Sequence, residues 1–314
     1  MNATSSAPDL FGTPVAVLTF IVVGLGFIVS VFTLCWQMAK HVLDGGRLRI
    51  YLNAAIWEPT LKLTTNRSGK WEIGKSGLGS ISPENIEVAQ LVVENPGRTP
   101  VTIYNPGVSI TGTAKRKYSL SPRMFALSSQ GPDSATTETV VRIDPYDRVT
   151  FLLDYWSVVP GLLKEAGDSG ITIRGSVSVA GRRRLRKSSY RRAWRIPQGA
   201  WTVRKDASSI SPFTVMWREL FRLHSQPQDN DESGDLAGYE LGAILRGAML
   251  KFGDRPKVGA FQSALEQVAG DRGVTSAAYA IDSWVMCEAL NQHSGHLDPW
   301  PQKLKGEVSE AGSD

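Results

Sequence analysis

Cysteine and histidine are scarce in this sequence, and their scarcity excludes several classes of protein. The chain has 314 residues, with two cysteines and four histidines. Cys35 lies in an apolar run and Cys287 lies far away in a helical pattern, so a disulfide framework is excluded. Cys287, His293 and His296 have irregular spacing, and we interpret them as one packed thiol and two solvated histidines. We predict no metal ion and no other cofactor.

Motifs of common enzyme classes are also missing. The sequence contains neither Gly-x-Ser-x-Gly nor His-Glu-x-x-His, the patterns of a nucleophile elbow and of a zinc protease. His41 and His224 have no neighbouring partner pattern for nucleophilic catalysis. We therefore expect a non-enzymatic protein. The alternative is a membrane-bound enzyme whose site is assembled from residues distant in sequence.

Basic residues are absent before an apolar run and frequent after it. No Lys or Arg precedes Lys40, whereas Lys40, Arg47 and Arg49 follow the run Val15–Trp36 closely. As a helix this run covers roughly 30 Å, the thickness of the hydrocarbon core of a bilayer. A cleaved signal peptide would have a basic leader and a shorter apolar core. We predict a transmembrane helix, with the 1–14 leader outside and the other domains in the cytoplasm.

Residues 45–205 have the pattern of short β-strands separated by turns. Thr139–Ile143 and Val149–Leu153 are expected to pair around the turn Asp144–Asp147. Only Tyr155–Ala166 indicates a helix within this region. Further strands are predicted at Arg47–Ala54, Ile86–Asn95, Val101–Tyr104, Val108–Thr111 and Ile171–Val179, followed after Gly181 by a basic return strand ending near Ile196.

One segment of this region points to a known kind of domain. Val92–Ile103 contains a strand, an Asn-x-Gly-x-x-Pro turn and a second strand, which together predict a hairpin, and Asp144-Pro-Tyr-Asp147 precedes a later apolar strand. This outline resembles the immunoglobulin-like β-sandwich domains of bacterial surface and single-pass membrane proteins. The resemblance covers about Arg47 to Ile196 and implies an all-β, antiparallel sandwich. It implies no activity, because this fold serves many functions.

The pattern after residue 206 is helical. Ser211 and Pro212 open an amphipathic helix at 211–224, for which we favour docking on the protein over insertion into a membrane interface. An acidic linker at 225–235 follows. Apolar residues at helical spacing then predict a small bundle of three helices at 236–293. Residues 297–314 have the composition of a disordered tail.

A phosphate-loop pattern occurs in the β-rich region. Gly69, Gly74, Lys75 and Ser76 match G-x-x-x-x-G-K-[ST], and Val149–Asp154 has the form of a strand ending in a magnesium-binding aspartate. The pattern binds phosphate only when backbone amides wrap it at the start of a helix. Glycines and a proline follow Ser76, so no helix can begin there. A nucleotide-dependent enzyme is therefore an alternative and not the main prediction.

The most distinctive soluble feature is the segment 182–195, which is rich in Lys and Arg and contains no Asp or Glu. We call it the basic segment. Anionic lipid heads are the leading partner, because the predicted anchor holds the segment near the bilayer and each cation contributes about 1 kcal/mol there. Nucleic acid is an alternative, with Tyr190 and Trp194 stacking on bases. A solvated strand edge, neutralised by the linker at Asp229–Asp235, is another. The eight cations are Arg182, Arg183, Arg184, Arg186, Lys187, Arg191, Arg192 and Arg195.

Together these features predict a membrane-anchored scaffold protein. The sandwich would be a rigid platform at the inner leaflet, oriented by the basic segment. The bundle, on its flexible linker, would recruit a protein partner.

Overall fold

A long N-terminal helix is the first main element of the chain. The computed structural model describes residues 9–10, 13–44, 47–58, 62–66, 85–113, 116–125, 134–204, 207, 209–224, 238–274 and 283–301. Two short paired strands, β1 (Asp9–Leu10) and β2 (Thr13–Pro14), precede helix α1 (Val15–Asp44). Its stretch Val17–Lys40 is long and apolar enough to cross a membrane, and none of its most apolar window is buried against the protein.

Three hydroxyl side chains in the apolar part of α1 form hydrogen bonds with the helix itself. The hydroxyl groups of Thr19, Ser30 and Thr33 donate to the carbonyl oxygens four residues back, at 2.8–2.9 Å. A helix that satisfies its own polar groups in this way carries little cost in hydrocarbon.

Eleven further strands in the described residues form two antiparallel sheets. The first sheet has the strand order β4-β3-β5-β10-β8. The second has the order β12-β11-β6-β7, with β9 also paired to β6 and β13 also paired to β11. The strands are β3 (Arg49–Glu58), β4 (Lys62–Asn66), β5 (Ile86–Glu94), β6 (Val101–Thr113), β7 (Arg116–Leu120), β8 (Met124–Phe125), β9 (Val140–Ile143), β10 (Arg148–Leu153), β11 (Ile171–Val179), β12 (Arg186–Lys187) and β13 (Trp194–Ile196).

The two sheets approach each other closely at Gly175 in β11. A Cβ atom on this glycine would lie 2.6 Å from Leu91 Cδ1 and 3.3 Å from Leu52 Cβ, both in the first sheet. The missing side chain therefore allows the backbone of one sheet to pack on the leucines of the other. Buried residues of both sheets belong to one hydrophobic cluster.

Two predicted hairpins are wrong. The predicted partners β9 and β10 lie in different sheets, since β9 pairs with β6 and β10 pairs with β5 and β8. The Asn-x-Gly-x-x-Pro segment likewise carries the chain from β5 in the first sheet to β6 in the second. Alternating sequence patterns identify strands, but the same turn residues serve a hairpin and a corner between sheets.

Asn95 holds these two corners together. Its buried side-chain amide donates to the carbonyl oxygens of Thr99 at 2.8 Å, Ile143 at 3.2 Å and Asp144 at 3.1 Å. Its side-chain oxygen accepts from the backbone amide of Gly97 at 3.1 Å. One asparagine thus satisfies backbone groups of both crossing connections, and the bond to Ile143 is fully buried.

In the part of the chain that the structure describes, five helices follow or interrupt the sheets: α2 (Val159–Ala166), α3 (Pro212–His224), α4 (Gly238–Met249), α5 (Val258–Asp271) and α6 (Ser283–Gln292). The helix predicted at 211–224 and the three bundle helices are confirmed. Helix α3 packs against α4 and α6, and α5 packs against α4 and α6, so α3 is part of the bundle. The side chains of Met216, Trp217 and Leu220 in α3 are fully buried, in agreement with docking.

The start of the predicted disordered tail is ordered. Leu297 forms a β-bridge with Ile210, and the indole nitrogen of Trp300 donates to the carbonyl oxygen of Met249 at 3.2 Å. These contacts hold residues 297–301 on the bundle. Residues 302–314 and the linker at 225–235 lie outside the described residues.

The two ends of the sheets have different neighbours. Arg49 at the start of β3 and Arg148 at the start of β10 both lie opposite Glu94 at the end of β5. We call this the anchor-proximal end, because the chain from Asp44 to Arg49 can reach at most about 18 Å. We call the opposite end of the sheets the distal end. There β10 ends at Leu153, and the side chain of the next residue, Asp154, contacts α3. The helical bundle therefore docks on the sheets at the distal end, whereas the prediction placed it apart from them. The linker itself lies outside the described residues.

Candidate functional site

The basic segment folds back along β11 after a turn at Gly181, whose φ of 74° favours glycine. Strand β12 pairs with β11 at Ser176 and Val177, and β13 pairs with it at Ile171–Ile173. This confirms the predicted return strand, in two short pieces. All eight cations predicted to bind an anionic surface are exposed. They are Arg182, Arg183, Arg184, Arg186, Lys187, Arg191, Arg192 and Arg195.

No carboxylate within the described ranges lies within 4.0 Å of any of these eight cations. The acidic linker Asp229–Asp235, the expected neutralising segment, lies outside those ranges. The pKa of Lys187 is lowered, first by partial burial and then by the positive charges of Arg174 and Lys117. The segment and its neighbours therefore form a concentrated positive field.

The eight cations do not form one cluster. Arg186 lies opposite Val177 near the end of β11, whereas Arg195 lies opposite Thr172 near its start. At about 3.3 Å per residue these positions are about 17 Å apart along the strand. Arg182 and Arg186 are therefore near the anchor-proximal end, and Arg195 is near the distal end.

The two aromatic residues of the segment have different roles. Trp194 is 1% exposed and packs edge-on against Tyr155, with ring centroids 5.3 Å apart. It cannot stack on a base, so that prediction is wrong for Trp194. Successive side chains of a strand point to opposite faces, so Trp194, which is next to exposed Arg195, lies on the inward face of β13. Tyr190 is 61% exposed, with the Arg174 guanidinium 5.9 Å from its ring centroid.

A cavity of about 310 Å³ opens at the anchor-proximal end, beside the basic segment. The side chains of Arg182 and Arg186 line one part of it, and Leu48, which follows α1 closely in the chain, lines another. Thr99 and Thr102 add hydroxyl groups to the lining. This cavity could not be predicted from the sequence, because its walls come from four separate segments of the chain.

A second group of charged residues lies at the distal end, where α3 docks. Arg218 Nη2 and Nε lie 2.5 and 3.0 Å from Asp154 Oδ1, and Arg123 Nη2 lies 2.7 Å from Asp154 Oδ2. Arg123 also contacts Glu219 in α3, at 2.6 and 2.7 Å. The Arg218 guanidinium stacks on the ring of Trp156, 4.4 Å from its centroid. These ion pairs attach α3 to the end of the first sheet.

A magnesium-binding role of Asp154, which belongs to the nucleotide-dependent alternative, is not compatible with this arrangement. Burial alone would raise the pKa of the Asp154 carboxyl, but the charges of Arg218 and Arg123 lower it below its usual value. Burial alone would lower the pKa of Arg123, but Glu219 and Asp154 raise it above its usual value. The carboxylate is ionised and already pairs with two guanidinium groups, one at each oxygen, and their positive charges would repel a metal cation.

Glu87 extends the charged group into the space between the sheets. It accepts hydrogen bonds from the hydroxyl groups of Tyr155 and Thr202, and its other oxygen lies 3.0 Å from Arg204 Nε. Burial raises the pKa of Tyr155 well above its usual value, and the charge of Glu87 raises it further. The Tyr155 phenol is therefore a fixed hydrogen-bond donor and is not available as a base.

His293 also lies in the contact between the bundle and the sheets, although it was predicted to be solvated. It is 4% exposed, with its ring centroid 5.9 Å from that of Trp156 and 6.5 Å from that of Trp201. Burial, and then the charge of Arg218, lowers the pKa of His293 to about 4. Cys287 is buried, as expected for a packed thiol, and burial raises its pKa.

Two further predictions concern a metal ion and the phosphate-loop pattern. No group of three or more His, Cys, Asp or Glu side chains suited to a metal ion occurs in the described part of the chain. The phosphate-loop residues Gly69, Gly74, Lys75 and Ser76 lie outside it. Nucleotide binding therefore stays an alternative prediction.

The distal charged group was missed at the sequence level. Arg218 lies between the apolar positions of an amphipathic helix, where a charged residue is normally solvated. Its partner Asp154 directly follows β10, and Arg123, which shares that carboxylate, directly precedes β8; both are far from Arg218 in the chain. A balanced set of three guanidinium groups and three carboxylates can be recognised only once these segments are brought together.

The fold and the site define a broad class: a protein with two antiparallel sheets, a helical bundle and one helix suited to a membrane. No family model matches the sequence, and no curated protein or solved structure matches it either.

Proposed function

We propose that this chain is a single-pass membrane protein that holds a rigid, non-enzymatic binding module against the inner leaflet. In this proposal α1 spans the bilayer with the N-terminus outside, and the two sheets form an immunoglobulin-like sandwich in the cytoplasm. The basic segment contacts anionic lipid heads. The observation that carries the proposal is the exposed, acid-free cluster around Arg182 and Arg186, next to the strand that continues from the anchor.

Electrostatics and tethering support this proposal together. Each Lys or Arg near an anionic leaflet contributes about 1 kcal/mol, and a covalent tether raises the local concentration of the domain at that surface. The chain between Asp44 and Arg49 is short enough to keep the anchor-proximal end within about 18 Å of the end of α1. A weak surface contact is then sufficient to orient the domain.

The role of the bundle follows from its place at the distal end. If the anchor-proximal end faces the lipid, the ion pairs of Arg218 and Arg123 hold the bundle on the side away from it. The sheets then act as a spacer, and the bundle is the part presented to a cytoplasmic protein partner. The buried carboxylates and guanidinium groups at the distal end are engaged with one another, and the lining described for the 310 Å³ cavity contains two arginines and no acidic side chain.

Lipid contact can be tested by hydrogen–deuterium exchange of the full chain in lipid nanodiscs. We expect residues 182–193 to exchange more slowly in discs that contain phosphatidylglycerol than in pure phosphatidylcholine, and we expect high salt to abolish the difference. Exchange in α5 (Val258–Asp271) should be equal in both and serves as the internal control. Equal exchange of the basic segment in both lipids would contradict the proposed contact.

Orientation needs a separate test. A protease added to intact cells should leave the part of the chain after α1 undigested, and permeabilised cells should show its digestion. Digestion in intact cells would contradict a cytoplasmic location.

Nucleic acid is the second candidate partner, favoured by the exposure of Tyr190 beside the cations. The full chain in phosphatidylcholine discs would then shift the fluorescence anisotropy of labelled single-stranded RNA or DNA in a strongly salt-dependent way. Absence of such a shift excludes this candidate.

A further inference from the structure

We infer that the anchor-proximal cavity is a specific binding site for one phosphate group, that of an anionic phospholipid of the leaflet in which α1 ends. The inference rests on the proposed function, because it assumes that this end faces the lipid. It goes further in one respect: the proposed surface attraction needs only net charge, whereas a site needs a particular pair of arginines. The pair is Arg182 and Arg186.

The chemistry of the lining fits a phosphodiester. Arg182 and Arg186 contribute guanidinium groups, which bind phosphate oxygens with paired hydrogen bonds. Thr99 and Thr102 contribute hydroxyl groups that can donate to the same oxygens. The lining contains no acidic side chain, and no carboxylate among the described residues lies within 4.0 Å of either arginine. The cations are therefore not already neutralised by the protein.

The remaining walls fit the glycerol and the first atoms of an acyl chain. Leu48 and Val179 are apolar lining residues, and Val179 is buried at the end of β11. A volume of about 310 Å³ is at the lower end of the range of about 300–1,000 Å³ for small-ligand sites. The cavity therefore accommodates a head group but not a whole lipid.

The position of the cavity favours a lipid over a soluble phosphate compound. Leu48 is separated from the end of α1 at Asp44 by only a few residues, so one wall of the cavity is tied to the membrane anchor. A lipid head in the adjacent leaflet is thus present at high local concentration. A free phosphate has no such advantage.

The test compares two double variants of the full chain with the same loss of charge. Arg182→Gln with Arg186→Gln changes the cavity. The control variant, Lys164→Gln with Lys257→Gln, removes two exposed cations outside the basic segment, one in α2 and one at the start of the bundle helix α5. All four side chains are exposed, and near-UV circular dichroism checks that both variants retain the wild-type fold.

Binding is measured by native mass spectrometry of the protein in detergent, titrated with short-chain phosphatidylglycerol, short-chain phosphatidylcholine or inorganic phosphate. We expect the wild-type protein to bind one phosphatidylglycerol in preference to phosphatidylcholine. The cavity variant should bind it at least tenfold more weakly, because charge-assisted contacts to the phosphate are lost. The control variant should stay within about twofold of wild type.

The other outcomes separate the two ideas. Equal weakening in both variants, or in neither, would overturn the cavity site while leaving general attraction to anionic lipid intact. Binding of inorganic phosphate without binding of the lipid would overturn the lipid source. If the nanodisc experiment also shows no effect of phosphatidylglycerol on residues 182–193, the proposed function fails as well.

Discussion

Removal of one partner from the distal ion pair should destabilise the protein far more than removal of both. Asp154 is fully buried and Arg218 is 3% exposed, so Asp154→Asn leaves a buried guanidinium without its carboxylate. Arg218→Met leaves Asp154 and Glu219 to share Arg123. Breaking one side of a buried pair generally costs about 3–5 kcal/mol, and we expect each single variant to lose that much free energy of unfolding.

The double variant Asp154→Asn with Arg218→Met should lose less than either single variant. It removes one positive and one negative charge, and Arg123 still pairs with Glu219. Replacing a whole buried pair is often close to neutral, because the desolvation penalty of both ions disappears with their attraction. The two effects should therefore be strongly non-additive, as expected for side chains in direct contact.

Urea unfolding of the full chain in detergent provides the measurement. The fluorescence of buried tryptophans, including Trp156 and Trp217, reports on the docked region. Arg142→Met is the control, since Arg142 and Asp144 are 3.8 Å apart and about 70% exposed, and such pairs contribute about 0–1 kcal/mol. The reasoning is refuted if the double variant loses the sum of the two single losses, or if the singles cost no more than the control.

Three further predictions concern single positions. His293 is neutral in the fold because its pKa is about 4 against an ordinary 6.5, so protonation favours unfolding. The free energy of unfolding should fall by about 3 kcal/mol between pH 6.5 and pH 4 relative to His293→Gln, measured by urea titration at each pH. Asn95→Ala should cost about 1–3 kcal/mol, and Asn95→Asp at least as much, because backbone carbonyl groups lose their donor; equal stability of Asn95→Ala and wild type would contradict the corner role. Gly175→Ala should lower the thermal midpoint through overpacking worth about 1–3 kcal/mol against Leu91, whereas Gly161→Ala, where the added Cβ meets open space, should not.

Much of the secondary structure could be predicted from local patterns. The apolar run predicts α1, the alternating segments predict β5, β10 and β11, and helical spacing predicts α3 to α6. These predictions succeed because each element buries one face or stripe. Burial of one face requires apolar residues at a regular spacing within a short stretch of sequence. The pairing of β9 and β10 could not be obtained in this way, since a turn such as Asp144–Asp147 is compatible with a hairpin and with a crossing between sheets.

The candidate site, too, could be predicted from the sequence only in part. The eight cations of the basic segment are visible in the sequence because they are consecutive. Their separation into an anchor-proximal group and a distal group depends on the register of β12 and β13 on β11. Trp194 and Tyr190 look equivalent in the sequence, but only the fold places one in the core and the other on the surface.

The sequence by itself determined the apolar helix, the positive charge and the lack of a disulfide framework, since each is a property of composition or of a short run. Tertiary structure decided which charges are buried and which are exposed. Arg218 and Arg186 are chemically identical, but one is desolvated against Asp154 and the other lines an open cavity. Burial and pairing depend on residues far away in the chain, and these two quantities set the energy of a charge.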